Sequence, residues 1–235
     1  MNPRTLQSYL YEGVVIVASI LVAFALDASW ANYQESKVER RVLGELQDEF
    51  EAAKTRIVSS IAELESAVEA SLELVQHLGP DTEPLSKDAA EDLFNRALSL
   101  NTLEVPASVL DSIIASGQVR LISDSALRKA LSEWPTFVSD VRENHEWHRA
   151  ESDDYLIPYL AQFLSIRNAS IGGGLESTPG TFEYDIVKMQ RDPVFEGRLI
   201  WRITRQQATL TESTTLLAET EKLLALTAAE IEKTR

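Results

Sequence analysis

Residues Gly13–Leu26 read GVVIVASILVAFAL, an uncharged aliphatic run bracketed by Glu12 and Asp27. These fourteen positions are few for a bilayer span, which takes about 20, and they equally suit the apolar core of a signal peptide. Two features favour the span. Tyr9 and Tyr11 precede the run and Trp30 and Tyr33 follow it, and such aromatics settle at the two membrane–water interfaces. Tyr9 to Trp30 is about 31 Å of helix at 1.5 Å per residue, close to one hydrocarbon thickness. The chain then runs from Leu26 to Leu78 with no proline and only Gly44 as glycine, so one helix can leave the bilayer without a break. Against a cleaved leader, the N-terminal region has Arg4 as its sole cation and also holds Glu12, although Ala23-Phe24-Ala25 does offer a small-residue cleavage site. Lys37, Arg40 and Arg41 after the run outnumber Arg4 before it, which by the positive-inside rule favours a cytoplasmic domain.

The remainder is long enough to bury a core. The chain has 235 residues, 44% hydrophobic and 25% charged, which is ordinary for a globular fold of about one domain. Net charge is −15, and a uniformly acidic surface of that sign repels phosphate backbones and anionic lipid headgroups; Lys and Arg read as scattered, with no basic stripe, so nucleic acid is not an expected partner. The absence of cysteine excludes disulfides and thiolate chemistry and leaves the compartment open.

Helical spacing recurs along the chain. Phe50, Ala53, Ile57, Ile61, Leu64, Val68, Leu72 and Val75 give a period near 3.67, a straight or slightly right-handed stripe on a helix over 31–78. Gly79-Pro80 ends it. Ser86 caps the next helix, which reaches Leu98 or Leu100. Pro106 suits the first position of a helix burying Val109, Leu110, Ile113 and Ile114, stopped by Gly117. Gln118–Ile122 is the one short strand candidate. Ser123 or Asp124 caps a helix carrying Leu127, Ala130, Leu131 and Trp134; Pro135 breaks or kinks it, and a further helix runs from Thr136 to about Ile166 with a bend at Pro158. Residues 168–180, NASIGGGLESTPG, form a loop. Asp192-Pro193 opens a last helix to about Lys233. There Ile203, Leu210, Leu217, Leu224 and Ile231 recur every seven residues, while the complementary positions are Gln206, Ser213, Thr220 and Thr227. A helix packed on its own domain accounts for that half-polar seam better than an intermolecular coiled coil, which wants apolar residues at both positions.

Two blocks carry a resemblance. EGVVIVASILVAFALDASW (Glu12–Trp30), followed by a charged helix with ELQDEF (Glu45–Phe50), resembles a family of uncharacterised bacterial single-pass membrane proteins, in which a Glu opens an aliphatic span and a Trp closes it. SVLDSIIASGQVRLISDSALRKAL (Ser108–Leu131) is similar to a second block of that family. The resemblance covers about half the chain and implies topology rather than activity: an inner-membrane anchor with the domain outside the cytoplasm, as members commonly have a basic N-terminus.

Candidate chemistry is sparse. His145 and His148 share a helix face, but H-E-x-H lacks the one-turn spacing of H-E-x-x-H, and a third ligand, Asp153 or Asp154, would need a favourable bend. Glu143, Asp153 and Asp154 read as a solvated face in so acidic a chain. Gly172-Gly173-Gly174 lacks the ending of a phosphate loop, there is no G-x-S-x-G elbow, and Asn168-Ala169-Ser170 is a chance-level acceptor pattern. His77 suits a helix C-terminus. Trp134, Trp147, Tyr155, Tyr159 and Phe163 read as bundle core, with an inter-helix pocket around Trp134, Trp147 and Tyr155 as the alternative.

The expectation is an all-α protein: a tail over 1–12, a transmembrane anchor over 13–30 continuous with a long helix, and an acidic antiparallel helical bundle over 31–235 with a long C-terminal helix. No catalytic, cofactor or metal residue is nominated and no cofactor is implied. The expected role is a membrane-anchored interaction or scaffold protein, contacting the lipid bilayer through 13–30 and a protein partner or second copy through the C-terminal helix. A sensory or small-ligand-binding bundle is the alternative, and an enzyme ranks below both.

Overall fold

The computed structural model describes residues 3–99, 102–165, 182 and 184–233, with the side chains of 3–10 and of Lys87 left aside. Every regular element among them is helical: α1 (Pro3–Gln76), α2 (Lys87–Ala97), α3 (Ser108–Ala115), a 3₁₀ turn (Gln118–Leu121), α4 (Ser125–Glu151), a π turn (Ser152–Leu156), α5 (Ile157–Leu160), α6 (Ile186–Gln190) and α7 (Pro193–Lys233). The loop expected over 168–180, with its three glycines and Asn168-Ala169-Ser170, lies outside the described residues.

α1 is one unbroken helix of 74 residues, roughly 110 Å at 1.5 Å per residue. Its N-terminal part is long and apolar enough to cross a membrane, and none of that part is buried against the rest of the chain. Val14, Leu21, Phe24, Leu26 and Trp30 are each about 60% exposed or more. Burial begins at Glu39. From there one line of buried positions on α1 runs Leu43, Leu46, Phe50, Ala53, Ile57, Ser60, Ala67, Ser71 and Leu74, with half-buried Leu64 filling the series and Val42, Glu49, Val68 and Ala70 buried beside it.

Those steps alternate three and four, a period of 3.5, so the stripe is of coiled-coil type and not the 3.67 stripe expected from the apolar residues alone. The difference lies in Ser60 and Ser71, which are buried, while Leu72 is 44% exposed. Ser71 Oγ donates its proton to Ala67 O of its own helix at 2.7 Å and lies 3.3 Å from Gln206 Oε1 of α7, so its hydroxyl is satisfied inside the interface.

On α7 the polar heptad positions Gln206, Ser213, Thr220 and Thr227 are all buried, as a half-polar seam requires. One buried line on it runs Phe195, Leu199, Arg202, Gln206, Thr209, Ser213, Leu216, Thr220, Leu223, Thr227 and Glu230, again alternating four and three, with Ile203 and Leu224 buried beside it. The polar half of the heptad therefore sits at the centre of the buried face, and Leu210, Leu217 and Ile231 flank it, half-buried. The threonine hydroxyls donate to the carbonyls four residues back, at 3.0 Å for Thr209 and at 2.7 and 2.8 Å for Thr220 and Thr227, which lets short polar side chains pack where helices approach closely.

α7 is the shared partner of the bundle. Lys54 pairs with Glu221 at 2.8 Å and Ser71 with Gln206, so α1 and α7 run antiparallel. Trp134 Nε1 donates to Thr220 Oγ1 at 2.9 Å, and His148 bonds Thr209 at 3.1 Å, so α4 also runs antiparallel to α7. Two hydrophobic clusters result. One, near the entry of α1, joins Leu43, Leu46, Phe50, Leu110, Leu127, Trp134 and Leu223. The other, at the far end, joins Leu74, Phe94, Leu156, Leu160, Phe195 and Leu199.

Several boundaries correct the sequence reading. α4 passes through Pro135. The ring forfeits one helical hydrogen bond, but Trp134 and Val138 are buried on either side, and that packing outweighs a cost of about 3 kcal/mol. The helix expected from Thr136 to Ile166 is instead α4, the π turn and short α5; Ile157 N–H bonds Ser152 O across five residues, widening the helix just before Pro158. Gln118–Leu121 is a 3₁₀ turn, not a strand, entered through Gly117 at φ +70°, a conformation glycine adopts without strain. α3 starts at Ser108, not at Pro106. A carboxylate from α1 fixes that start: Glu49 accepts Val109 N–H at 2.8 Å, Leu110 N–H at 2.9 Å and the Ser108 hydroxyl at 3.2 Å, a cap supplied by tertiary contact. The caps at Ser86 and Asp124 and the Asp192-Pro193 opening are as expected.

Candidate functional site

Between the two hydrophobic clusters the three long helices bury a polar layer. Its centre is Arg202, 1% exposed. A buried guanidinium must have its donors satisfied and its charge paired. Nη1 meets Glu151 Oε2 at 2.8 Å and Ser152 Oγ at 3.0 Å, and Nε donates to Ala97 O at 3.4 Å. Gln206, one turn on, donates to the same Ala97 carbonyl at 3.3 Å. Arg202 thereby ties α7 to the end of α2 and to the start of the π turn. Burial pushes its pKa down, and Glu151 opposes that shift.

His148 lies beside this centre. Thr209 Oγ1 is 3.1 Å from His148 Nε2 and donates its single proton to Arg205 O at 3.0 Å. With that proton donated to the carbonyl, the hydroxyl accepts from the ring, an arrangement that goes with a proton on Nε2 and leaves Nδ1 buried without a partner among the described residues. Burial first, then the positive charges of Arg202, His145 and Arg205, push the His148 pKa down to about 4, so the ring is neutral at pH 7. A cavity of about 20 Å³ adjoins it, lined by Glu63, Leu64 and Ala67 of α1, His145 and His148 of α4, and Arg202 and Gln206 of α7. That volume suits a single water molecule and excludes an organic ligand.

Around the outside of the layer Arg205 stacks 4.7 Å over the Trp147 ring and bonds Asn144 Oδ1 at 2.6 Å. Asn144 Nδ2 in turn bonds Glu212. Trp147 stands edge-on to Trp201, ring centroids 6.4 Å apart. With Tyr155 of the π turn and Gly197 and Arg198 of α7, these rings line an open groove in which Tyr155 and Trp201 are more than half exposed.

The sequence candidates separate on these facts. His145 and His148 are both buried, and among the described residues no set of three or more His, Asp or Glu is placed to hold a metal. Asp153 and Asp154 are exposed on the π turn. Trp134 is core: it meets Phe50 edge-on at 5.2 Å and bonds Thr220. The pocket considered around Trp134, Trp147 and Tyr155 is therefore not formed, because its first member is sealed inside. Tyr159 and Phe163 pack in the far cluster, where the Tyr159 hydroxyl donates to Asp192 Oδ2 at 2.6 Å. His77 follows α1, and its carbonyl accepts from Thr82 at 3.0 Å and Gln190 at 3.1 Å. Arg202, Glu151 and the capping Glu49 are not singled out by the sequence; the available signal is an arginine in register with the buried heptad of α7. Compared with protein-family models, curated proteins and solved structures, the chain matches none.

Proposed function

We propose that this protein is a membrane-anchored helical interaction protein of the bacterial inner membrane. One observation carries the reading: the uncovered apolar part of α1 continues without a break into the helix that organises the bundle. Such a helix supplies both a bilayer anchor through residues 13–30 and a stiff connection to the acidic body. The resemblance of Glu12–Trp30 to single-pass bacterial proteins supports the same topology and favours the periplasmic side. Lys37, Arg40 and Arg41 favour the cytoplasmic side, and protease accessibility of the bundle in spheroplasts decides between them. No enzymatic role belongs to the proposal, since the buried His and Arg layer faces a water-sized cavity rather than a cleft.

The partner is a protein or a second copy of the chain, met through the outward side of α7. The inward side is occupied by α1 and α4, and Ile200 and Trp201 are about half exposed on the outward side. Light scattering of the full chain in detergent tests this. An assembly larger than one chain is expected for the parent, and a single chain for Ile200→Ser with Trp201→Ser. A parent that is strictly monomeric and carries no stoichiometric partner from solubilised membranes contradicts it.

A second reading, a small-ligand-binding or sensory bundle, is favoured by the groove of Trp147, Tyr155 and Trp201. Its mark would be a saturable change of tryptophan fluorescence on titration with small apolar compounds, abolished by Trp201→Ser.

A further inference from the structure

Between the apolar run and the bundle, α1 crosses a stem, residues 31–38, whose side chains are exposed except for half-buried Val38. Positions Trp30, Tyr33, Lys37, Arg40 and Arg41 fall at i, i+3, i+7, i+10 and i+11, which places them on one helical face. All five are exposed, and the two rings lie 5.9 Å apart. The opposite face does different work. Glu35 falls there, and Glu39 turns into the bundle, accepting Ser123 N–H at 2.6 Å and the Ser123 hydroxyl at 3.3 Å. Val42, Leu43 and Leu46 continue that inward side. The stem thus segregates its aromatic and cationic residues away from its acids and away from the bundle. Among the described residues Lys37, Arg40 and Arg41 form no ion pair, although the chain carries 37 acidic residues.

With Trp30 at the interface, Lys37 to Arg41 stand about 10 to 16 Å further along the axis. The headgroup layer adds about 5–7 Å beyond the hydrocarbon, and the cations' own arms shorten the remaining gap to about a Debye length of 8 Å. A helix tilted by about 20°, the average for spans, brings this face closest to the lipid.

We propose that the Trp30–Tyr33–Lys37–Arg40–Arg41 face is a docking surface for the anionic headgroups of the bilayer in which α1 sits, so that lipid charge sets the lean of the bundle over the membrane. The proposal rests on the reading of α1 as a span. Each cation near an anionic surface shifts the balance of docked over undocked forms roughly fivefold, and high salt cancels the effect.

The chain has no cysteine, and Gly44, one turn past Arg40 on the same face, has open space around an added Cβ. Gly44→Cys in the full chain therefore accepts a single fluorophore. The labelled protein is reconstituted in vesicles with a headgroup-borne quencher, either of phosphatidylcholine alone or with phosphatidylglycerol added. Quenching is expected to rise with phosphatidylglycerol, to fall back in high salt, and to show no such rise in K37Q/R40Q/R41Q, whose helical content by circular dichroism stays that of the parent. Equal quenching in both lipids, or a triple variant that responds like the parent, overturns the proposal. Failure of the anchor reading shows separately, as protein that does not float with vesicles of either composition.

Discussion

Arg202 is the residue on which the middle of the bundle turns. Its side chain is 2% exposed and that of Glu151 is 10% exposed, so each charge depends on the other. Removing one partner of such a pair strands a buried charge at about 3–5 kcal/mol, whereas replacing both with apolar residues costs far less. Glu151→Ala should therefore lower the unfolding free energy by about that amount, and Glu151→Met with Arg202→Met should restore most of it; denaturant titration of the full chain in detergent reads both. His148 adds a pH dependence. Its pKa of about 4 in the fold lies below the ordinary 6.5, so between those values the unfolded chain binds a proton that the folded one does not. Stability should then fall as pH drops from 6.5 towards 4, and His148→Gln, which keeps a donor towards Thr209, should flatten that slope.

At the scale of elements, the seam of α7 buries hydroxyls that bond their own helix, at Thr209, Thr220 and Thr227, and Gln206, which reaches Ser71 and Ala97. Thr220 accepts the Trp134 N–H at 2.9 Å in a fully buried setting. Thr220→Val keeps the shape but strands that donor, so a loss of about 1–3 kcal/mol is expected, readable as a lowered midpoint in thermal melts. The same seam shows what sequence could reveal. Helix existence was legible because spacing, caps and glycine stops are local signals: Ser86, Asp124, Gly117 and Asp192-Pro193 each stand where expected. The faces were less legible. On α1 the apolar spacing selects Ile61 and Leu72, while the interface centres on Ser60 and Ser71, whose small size counts for more than their polarity; on α7 the polar heptad positions Gln206, Ser213, Thr220 and Thr227 are buried in the seam, as their spacing implies. The start of α3 and the pairing of Glu39 with Ser123 were hidden because the acceptors, Glu49 and Glu39, lie about 60 and 84 residues away in the chain. The Arg202 centre was hidden for the same reason.

At the scale of the molecule, one helix connects a bare apolar segment to a bundle whose far end lies tens of ångströms away, and nothing along α1 interrupts it. On the proposed reading, a tilt at the apolar end would reach the α1–α7 seam without an intervening hinge, because α1 is one unbroken helix. The role proposed here depends on α1 remaining whole and in lipid. The most direct measurement is carbonate extraction of membranes from cells making the full chain, with the N-terminal residues of the extracted protein read by mass spectrometry. The expected result is an intact chain, apolar run included, that stays in the carbonate-resistant membrane pellet. Intact protein in the soluble fraction, or a product beginning near Leu26, would contradict it.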